Sequence, residues 1–223
     1  ARRRDALTDR DAVVKTIVTN ELGARIAKAA GLATFETLTG FKYIGEKANE
    51  FERTGEYRFL MGYEESFGYL VGTHARDKDA VVASLLLCEL AAYHKARGNT
   101  LPQALEALYA EHGYFLDALD SFTLPGRSGA ERIRALTASF REKGPEIAGD
   151  ALQEMLDYAR GVAGLPKEDV VKFTYASGSW VAIRPSGTEP KLKAYYSIRG
   201  ASPAAAAETL HLLRKAVRQA VEA

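Results

Sequence analysis

Short β-branched runs alternate with helix-forming segments over the first sixty residues, and this alternation constrains the fold more than any other feature. Residues 12–19 are mostly apolar and β-branched, as in a strand buried on both faces, and helical periodicity follows until Gly31. A second strand is predicted at 33–38, a second helix after Thr39-Gly40, and a third strand at 57–61. This order predicts an α/β domain with a parallel or mixed sheet and helices on both faces.

The pattern changes after Gly113, and we place a domain boundary there, between residues 1–112 and 113–223. Helices are predicted at 129–143 and 145–160, followed by a set of antiparallel strands and a closing amphipathic helix. The second domain is therefore predicted to be α+β, with an antiparallel sheet covered by helices.

One predicted helix of the first domain is apolar on nearly every side. Residues 79–96 form this segment, and such a pattern predicts a helix that is buried all round. Cys88, the single cysteine, lies within it and is predicted to be a small buried hydrophobe rather than a nucleophile. No disulfide can form within the chain.

Composition excludes several classes of function. The 30 basic residues nearly balance the 29 acidic ones, which disfavours nucleic-acid binding through Arg184, Lys191 and Lys193. No apolar stretch approaches the roughly 18 residues of a membrane span, and no signal-peptide pattern opens the sequence, so we expect a cytoplasmic protein with no membrane partner. The four histidines show no metal-ligand spacing, and no nucleotide-binding fingerprint is present.

A polar loop at residues 184–191 joins two predicted strands and has the composition of an anion-binding loop. Arg184 supplies a fork of N–H donors, and Ser186 and Thr188 supply hydroxyls. Gly187 lets an oxyanion approach the main-chain N–H groups without a Cβ in the way. These groups suit a phosphate monoester, although residues of this type also occur in ordinary hairpin turns.

A second polar loop, residues 62–68, follows the strand predicted at 57–61. It therefore lies at the carboxyl end of a parallel strand, where open α/β sheets bind ligands. Glu64 and Ser66 are two residues apart and share one side of an extended segment, whereas Glu65 points away. A carboxylate beside a hydroxyl suits neighbouring sugar hydroxyls, and the alternative is a solvated turn.

Together these loops give the sequence its resemblance to a known family. Thr39-Gly40-Phe41-Lys42, Gly62-Tyr63-Glu64-Glu65-Ser66-Phe67-Gly68 and Arg184-Pro185-Ser186-Gly187-Thr188-Glu189-Pro190 occur in the order seen in the α-D-phosphohexomutases. The chain resembles the C-terminal half of these phosphoglucomutases and phosphomannomutases, and it is most similar to the larger bacterial phosphoglucomutases. The resemblance covers nearly the whole chain and implies the third and fourth domains of the mutase.

The resemblance also implies roles for individual residues. The hexose hydroxyls would contact Glu64 and Ser66, and Lys42 and Lys78 are weaker candidates near the phosphosugar, since Lys78 is also placed to pair with a neighbouring aspartate. The phosphate that is not reacting would be held by a second set of residues: Arg184, Ser186, Gly187 and Thr188.

The family interconverts hexose 1- and 6-phosphates through a phosphoserine enzyme and a bisphosphate intermediate. The resemblance therefore implies Mg²⁺ and hexose 1,6-bisphosphate as cofactors and a phosphohexose, here glucose phosphate, as substrate. Neither the T-A-S-H-N-P serine loop nor the D-G-D-x-D-R metal loop occurs in these 223 residues. We therefore expect no catalytic or metal-binding residue here, and we expect N-terminal domains of the same chain to supply both loops.

Such a fragment is expected to be inactive alone. Two other functions stay open from the sequence. One is a non-catalytic module that binds a phosphosugar, and the other is a phosphomannomutase, because both sugars offer similar groups to Glu64 and Ser66.

Overall fold

The computed structural model describes residues 7–187 and 189–222. Thr188, one of the expected phosphate ligands, lies outside the described residues. The chain divides into two compact units, Ala1–His112 and Gly113–Ala223.

Within the described residues, the elements of the first unit are β1 (Asp11–Thr16), α1 (Leu22–Ala29), β2 (Ala33–Thr37), α2 (Phe41–Thr54), β3 (Arg58–Glu64), β4 (Gly68–Val71), α3 (Ala80–Lys95) and α4 (Leu101–His112). The sheet has the order β2-β1-β3-β4. β1 pairs in parallel with both β2 and β3, whereas β4 returns antiparallel to β3. The prediction of an α/β unit with a mixed sheet is confirmed.

Side chains of β1 alternate between the two faces of this sheet. Ala12 and Val14 are fully buried in a cluster with the apolar side of α2. On the opposite face Val13 lines an apolar cavity of about 430 Å³, together with Ile26 of α1 and Leu86 of α3. Helices therefore lie on both faces, which is why β1 is apolar at successive positions.

The prediction that residues 79–96 form a buried helix is wrong in one respect. The helix forms as α3, but none of its residues, all of which the structure describes, is buried. Val81 is 81% exposed and Leu85 is 59% exposed, and Cys88 is exposed as well. A helix that is apolar on all sides would be buried only if other elements packed against every side. α3 packs mainly against β4 and α4, so many of its apolar side chains stay exposed to solvent. No helix among the described residues is long and apolar enough to cross a membrane.

The second unit is built from β5 (Tyr114–Thr123), α5 (Gly126–Glu142), β6 (Leu152–Asp157), a 3₁₀ turn (Tyr158–Arg160), β7 (Val171–Tyr175), β8 (Trp180–Pro185), β9 (Lys191–Gly200) and α6 (Pro203–Glu222). Its sheet has the order β5-β9-β8-β7-β6, and every neighbouring pair is antiparallel. The α+β prediction, with an antiparallel sheet covered by helices, is confirmed.

One face of this sheet forms the core with α5 and α6. Val181 and Ile183 of β8 lie in this core, and Leu213 of α6 packs in the same cluster. Because neighbouring residues of a strand alternate, Trp180 and Arg184 lie on the opposite face. The predicted anion-binding arginine is thus on the side of the sheet away from the helices.

The predicted helix at 145–160 is wrong. Residues 152–157 form the edge strand β6, which pairs antiparallel with β7. Leu, Gln, Glu and Met in this segment favour a helix locally, but tertiary pairing with β7 overrides that preference. β5, which was not predicted, forms the other edge of the sheet.

Candidate functional site

The predicted phosphate loop connects β8 to β9, and hydrogen bonds close its backbone. The amide of Ser186 donates to the carbonyl of Lys191 at 2.8 Å. The amide of Leu124, just after β5, donates to the carbonyl of Pro190 at 2.9 Å. These bonds join the two ends of the loop to each other and tie Pro190 to the segment that follows β5.

Arg184 is oriented from within the protein. Its Nε donates to Oε1 of Glu168 at 2.8 Å, and the two side chains are 21% and 20% exposed. Burial lowers the pKa of Arg184, but Glu168 and Tyr195 outweigh this effect, so the net shift is upward and the charge is secure. Because Glu168 engages Nε, it fixes the plane of the guanidinium group.

Other cations surround the same loop. Lys193 pairs with Arg184 in the register of β8 and β9. Nζ of Lys191 lies 2.8 Å from a carboxylate oxygen of Glu189. The hydrogen bond from Lys191 lowers the pKa of Glu189, and the charge of Lys193 adds to this effect. The loop is therefore locally basic although the chain as a whole is nearly neutral, and this local charge favours an anionic ligand.

Ser186 is half-buried and Gly187 is exposed. A Cβ built on Gly187 would meet no described atom within 4 Å, so the packing of the unit itself does not require a glycine there. The open space beside Gly187 is compatible with close approach of an anion to the main chain. Thr188 completes the predicted set but is outside the described residues.

The predicted sugar loop is the hairpin turn between β3 and β4. Glu64 pairs with Gly68, and Glu65, Ser66 and Phe67 form the turn. Ser66 is exposed, and Phe67 is 86% exposed and has a φ of 64°. A large non-glycine residue in this left-handed region carries strain, so its surroundings must hold the turn.

Glu64 and Lys78 lie side by side over Gly68. A Cβ built on Gly68 would lie 2.7 Å from Oε1 of Glu64 and 2.9 Å from Cδ of Lys78, so a larger residue there would displace these two side chains. Nζ of Lys78 lies 2.9 Å from Asp77 and 5.2 Å from the ring centroid of Phe41. The hydrogen bond to Asp77 and the nearby charge of Glu64 raise the pKa of Lys78. The structure thus brings Glu64 and Lys78 together.

Glu65 has different surroundings from Glu64. Its Oε2 accepts from the hydroxyls of Thr16 at 3.2 Å and of Thr19 at 3.4 Å. Burial raises the pKa of Glu65, and the charge of Glu64 also raises it. Two adjacent carboxylates therefore have separate partners.

Lys42 lies in the first turn of α2 and is exposed. Its Nζ is 4.6 Å from the ring centroid of Tyr43. Its neighbour Phe41 lies against Lys78, but Lys42 itself has no described contact with Glu64 or Lys78.

The sequence analysis missed the residues that contact and orient the side chains of the two polar loops. Thr16 and Thr19 lie at or beyond the carboxyl end of β1, the same sheet edge as the turn after β3, and this placement was a usable signal. No signal pointed to Glu168, which is 16 residues from Arg184 and outside any strand or helix.

Two family models match the chain. Residues 1–112 match the model of phosphoglucomutase/phosphomannomutase alpha/beta/alpha domain III, and residues 95–216 match the model of the C-terminal domain of the same proteins. The chain belongs to the phosphoglucomutase/phosphomannomutase family. The predicted sugar loop lies in the first matched region of this family member, and the predicted phosphate loop lies in the second.

Curated relatives include two phosphoglucomutases from staphylococci. The protein of Staphylococcus haemolyticus is 36% identical and that of Staphylococcus saprophyticus is 33% identical. Each match covers 83% of this family member and 36% of the relative. The chain therefore spans about 36% of the length of these relatives.

Solved structures show the same fold. Parafusin, a phosphoglucomutase from Paramecium in an open form, aligns with a TM-score of 0.69 at 21% identity, over 93% of this chain and 37% of that one. A putative phosphomannomutase from Thermus thermophilus aligns with a TM-score of 0.64 at 23% identity, over 99% of this chain and 38% of that one.

Proposed function

We propose that this chain supplies the sugar- and phosphate-binding part of a phosphoglucomutase, which interconverts glucose 1-phosphate and glucose 6-phosphate through a phosphoserine enzyme and a bisphosphate intermediate. The observation that carries the proposal is the match to curated phosphoglucomutases over 83% of the chain, with both polar loops inside the matched family regions.

In this proposal the loop after β8 holds the phosphate that is not reacting. Arg184 donates from a guanidinium group that Glu168 has already oriented, so little side-chain freedom is lost when the phosphate binds. Ser186 and Thr188 add hydroxyl donors, and Gly187 adds access to the main chain. Lys191 and Lys193 raise the local concentration of anions.

The hairpin turn after β3 binds the sugar. Glu64 accepts hydrogen bonds from two neighbouring hydroxyls, and Ser66 donates or accepts one. Lys78 lies beside Glu64 and neutralises charge near the phosphosugar, with Lys42 at the margin. The bisphosphate intermediate reverses its orientation in the site, so the same groups bind the ligand in both orientations. Correct positioning of the ligand is their main contribution to phosphoryl transfer.

Mg²⁺ and hexose 1,6-bisphosphate are proposed as cofactors of the whole enzyme. No group of three or more His, Cys, Asp or Glu side chains among the described residues is arranged to hold a metal ion. We therefore assign no residue here to Mg²⁺ and derive no catalytic step from it. When bound elsewhere in the enzyme, it would neutralise charge on the transferring phosphoryl group.

A coupled assay with glucose 1-phosphate and glucose 1,6-bisphosphate tests this proposal. We expect no turnover by the chain alone and turnover by a protein that also carries the serine and metal loops of this family. Clear turnover by the chain alone would contradict the assignment of roles. Failure of the longer protein to act on glucose 1-phosphate, with activity on mannose 1-phosphate or none, would favour a phosphomannomutase or a non-catalytic binding module.

A further inference from the structure

The two adjacent carboxylates of the sugar loop, Glu64 and Glu65, contact different parts of the unit. Glu64 faces Gly68 and Lys78 at the surface, whereas the carboxyl group of Glu65 turns towards the end of β1. The proposed function uses Glu64 and leaves Glu65 without a role. Its contacts are nonetheless specific, because they span 49 and 46 residues of sequence to reach Thr16 and Thr19.

The contacts of Glu65 form a triangle of three oxygen atoms. The hydroxyls of Thr16 and Thr19 are 2.7 Å apart, and both reach Oε2 of Glu65. Two hydroxyl protons can satisfy only two of these three contacts. A neutral carboxyl group at position 65 adds a proton and can satisfy the third, and a neutral amide oxygen can still accept from the two hydroxyls. The triangle therefore tolerates a neutral group at position 65 and does not need a charge there.

The base of the triangle is rigid. Thr16 is fully buried and Thr19 is 5% exposed. The amide of Thr19 donates to the carbonyl of Thr16 at 3.1 Å, and Nζ of the buried Lys15 donates to the carbonyl of Thr19 at 3.0 Å. A turn held to this base is fixed relative to the sheet.

The turn itself needs such a support. Phe67 has a positive φ and is 86% exposed, so its side chain buries little surface that could offset the strain of the turn. The side chain of Ser66 is also exposed. Within the turn, Glu65 is the residue whose side chain reaches back into the unit.

We propose that Glu65 is a positioning residue, which ties the turn between β3 and β4 to Thr16 and Thr19 and so holds Glu64 and Ser66 where they bind sugar hydroxyls. This inference rests on the proposed function for the identity of the ligand. The anchor itself is a property of the free protein and can be tested without any ligand.

The test uses Glu65→Ala, Glu65→Gln and, as a matched control on the neighbouring carboxylate, Glu64→Gln. Amide hydrogen exchange at residues 64–68 is measured in the free chain, and binding of glucose 1,6-bisphosphate is measured by calorimetry. Glu65→Ala should speed exchange in the turn by about tenfold or more and weaken binding by a similar factor. Glu65→Gln should match the unsubstituted chain in both measurements, because its amide oxygen can accept from both threonine hydroxyls as the carboxylate does.

Glu64→Gln should leave exchange unchanged and weaken binding, because it removes a ligand rather than the anchor. If Glu65→Ala does not fold, Thr16→Val gives the same test from the other side of the triangle and should also speed exchange in the turn. Unchanged exchange in Glu65→Ala or Thr16→Val would overturn the proposal. So would a Glu65→Gln variant with the exchange and affinity expected of Glu65→Ala.

These outcomes separate the inference from the proposed function. If the unsubstituted chain binds no glucose 1,6-bisphosphate, the proposed function loses its support, while the exchange measurements still decide whether Glu65 anchors the turn. If the chain binds the ligand but Glu65→Ala binds it equally well, the function stands and the positioning role is rejected.

Discussion

Breaking the ion pair between Arg184 and Glu168 should destabilise the second unit measurably. The pair joins β8 to the irregular segment before β7 through a hydrogen bond of 2.8 Å. Glu168→Ala leaves a guanidinium group largely buried without its carboxylate, and Arg184→Ala leaves the carboxylate without its cation. The costs of the two single changes should add up to more than the cost of removing both charges together, because each single change leaves an unpaired buried charge.

The expected cost follows from distance and exposure. Two unit charges about 4 Å apart attract by roughly 4 kcal/mol at an effective dielectric constant of about 20, and desolvation offsets much of this. Removal of one partner of a fully buried pair costs about 3–5 kcal/mol. Since Arg184 and Glu168 remain 21% and 20% exposed, we expect each single substitution to lower the free energy of unfolding by about 2–3 kcal/mol. The coupling energy of the pair should be about 1.5–2 kcal/mol.

Urea denaturation followed by tryptophan fluorescence measures these values. Trp180 is the only tryptophan, and it is buried in β8, so it reports on the second unit. The two single variants and the double variant form the mutant cycle. Arg127 and Glu131 on α5 provide a control pair, because their side chains are 94% and 56% exposed and should show almost no coupling.

Additive effects in this cycle would refute the reasoning. A coupling energy below about 0.5 kcal/mol would mean that Glu168 does not hold Arg184 in solution. The proposed orientation of the phosphate-binding arginine would then have no physical basis.

Three further predictions concern the two loops and the packing of α2. Arg184→Ala in a catalytically complete form of the enzyme should weaken binding of glucose 1-phosphate by about tenfold to a hundredfold, and unchanged kinetics would remove the loop from the site. Because the pKa of Glu65 is raised above 4.5 in the folded state, native stability should fall as pH rises through the raised pKa, and Glu65→Gln should abolish that part of the fall. Urea denaturation between about pH 4 and pH 8 measures this stability, and it is followed by circular dichroism because the only tryptophan is in the other unit. Equal pH dependence of stability in the unsubstituted chain and in Glu65→Gln would contradict the prediction. Gly45→Ala would place a Cβ 2.3 Å from the carbonyl oxygen of Arg76. We therefore expect the free energy of unfolding to fall by about 1–2 kcal/mol, despite the better helix propensity of alanine. A variant that is more stable in urea denaturation would show that the contact is absent.

Local sequence patterns were sufficient to predict much of the fold. The β-branched run at 12–19 and the helical periodicity around α1 and α2 depend on neighbours in sequence, so they could be recognised without tertiary information. At the start of α4 the amide of Thr100 donates to the side chain of Gln103 at 2.8 Å, a capping-box contact that depends only on residues close in sequence. The predicted closing amphipathic helix forms as α6, and its Leu210 and Leu213 pack in the core of the second unit.

The failures came from interactions between distant segments. Residues 152–157 have helix-forming side chains, but they pair with a strand that begins 14 residues after the segment ends, and only the folded chain shows this pairing. The apolar pattern of α3 reports a tendency to be buried but does not say which surface covers it. The site shows the same limit. Its polar loops could be recognised in the sequence, and the position of Thr16 and Thr19 at or beyond the carboxyl end of β1 was a usable signal, whereas nothing in the sequence pointed to Glu168.

The most direct test of the central claim is a nuclear magnetic resonance titration of the ¹⁵N-labelled chain. Glucose 1,6-bisphosphate should shift the amide signals of residues 184–191 and of residues 64–66, whereas inorganic phosphate should shift the first set alone. This result would show that one loop recognises phosphate and the other recognises the sugar. Shifts in neither loop with the bisphosphate, or the same shifts at residues 64–66 with phosphate alone, would contradict the account.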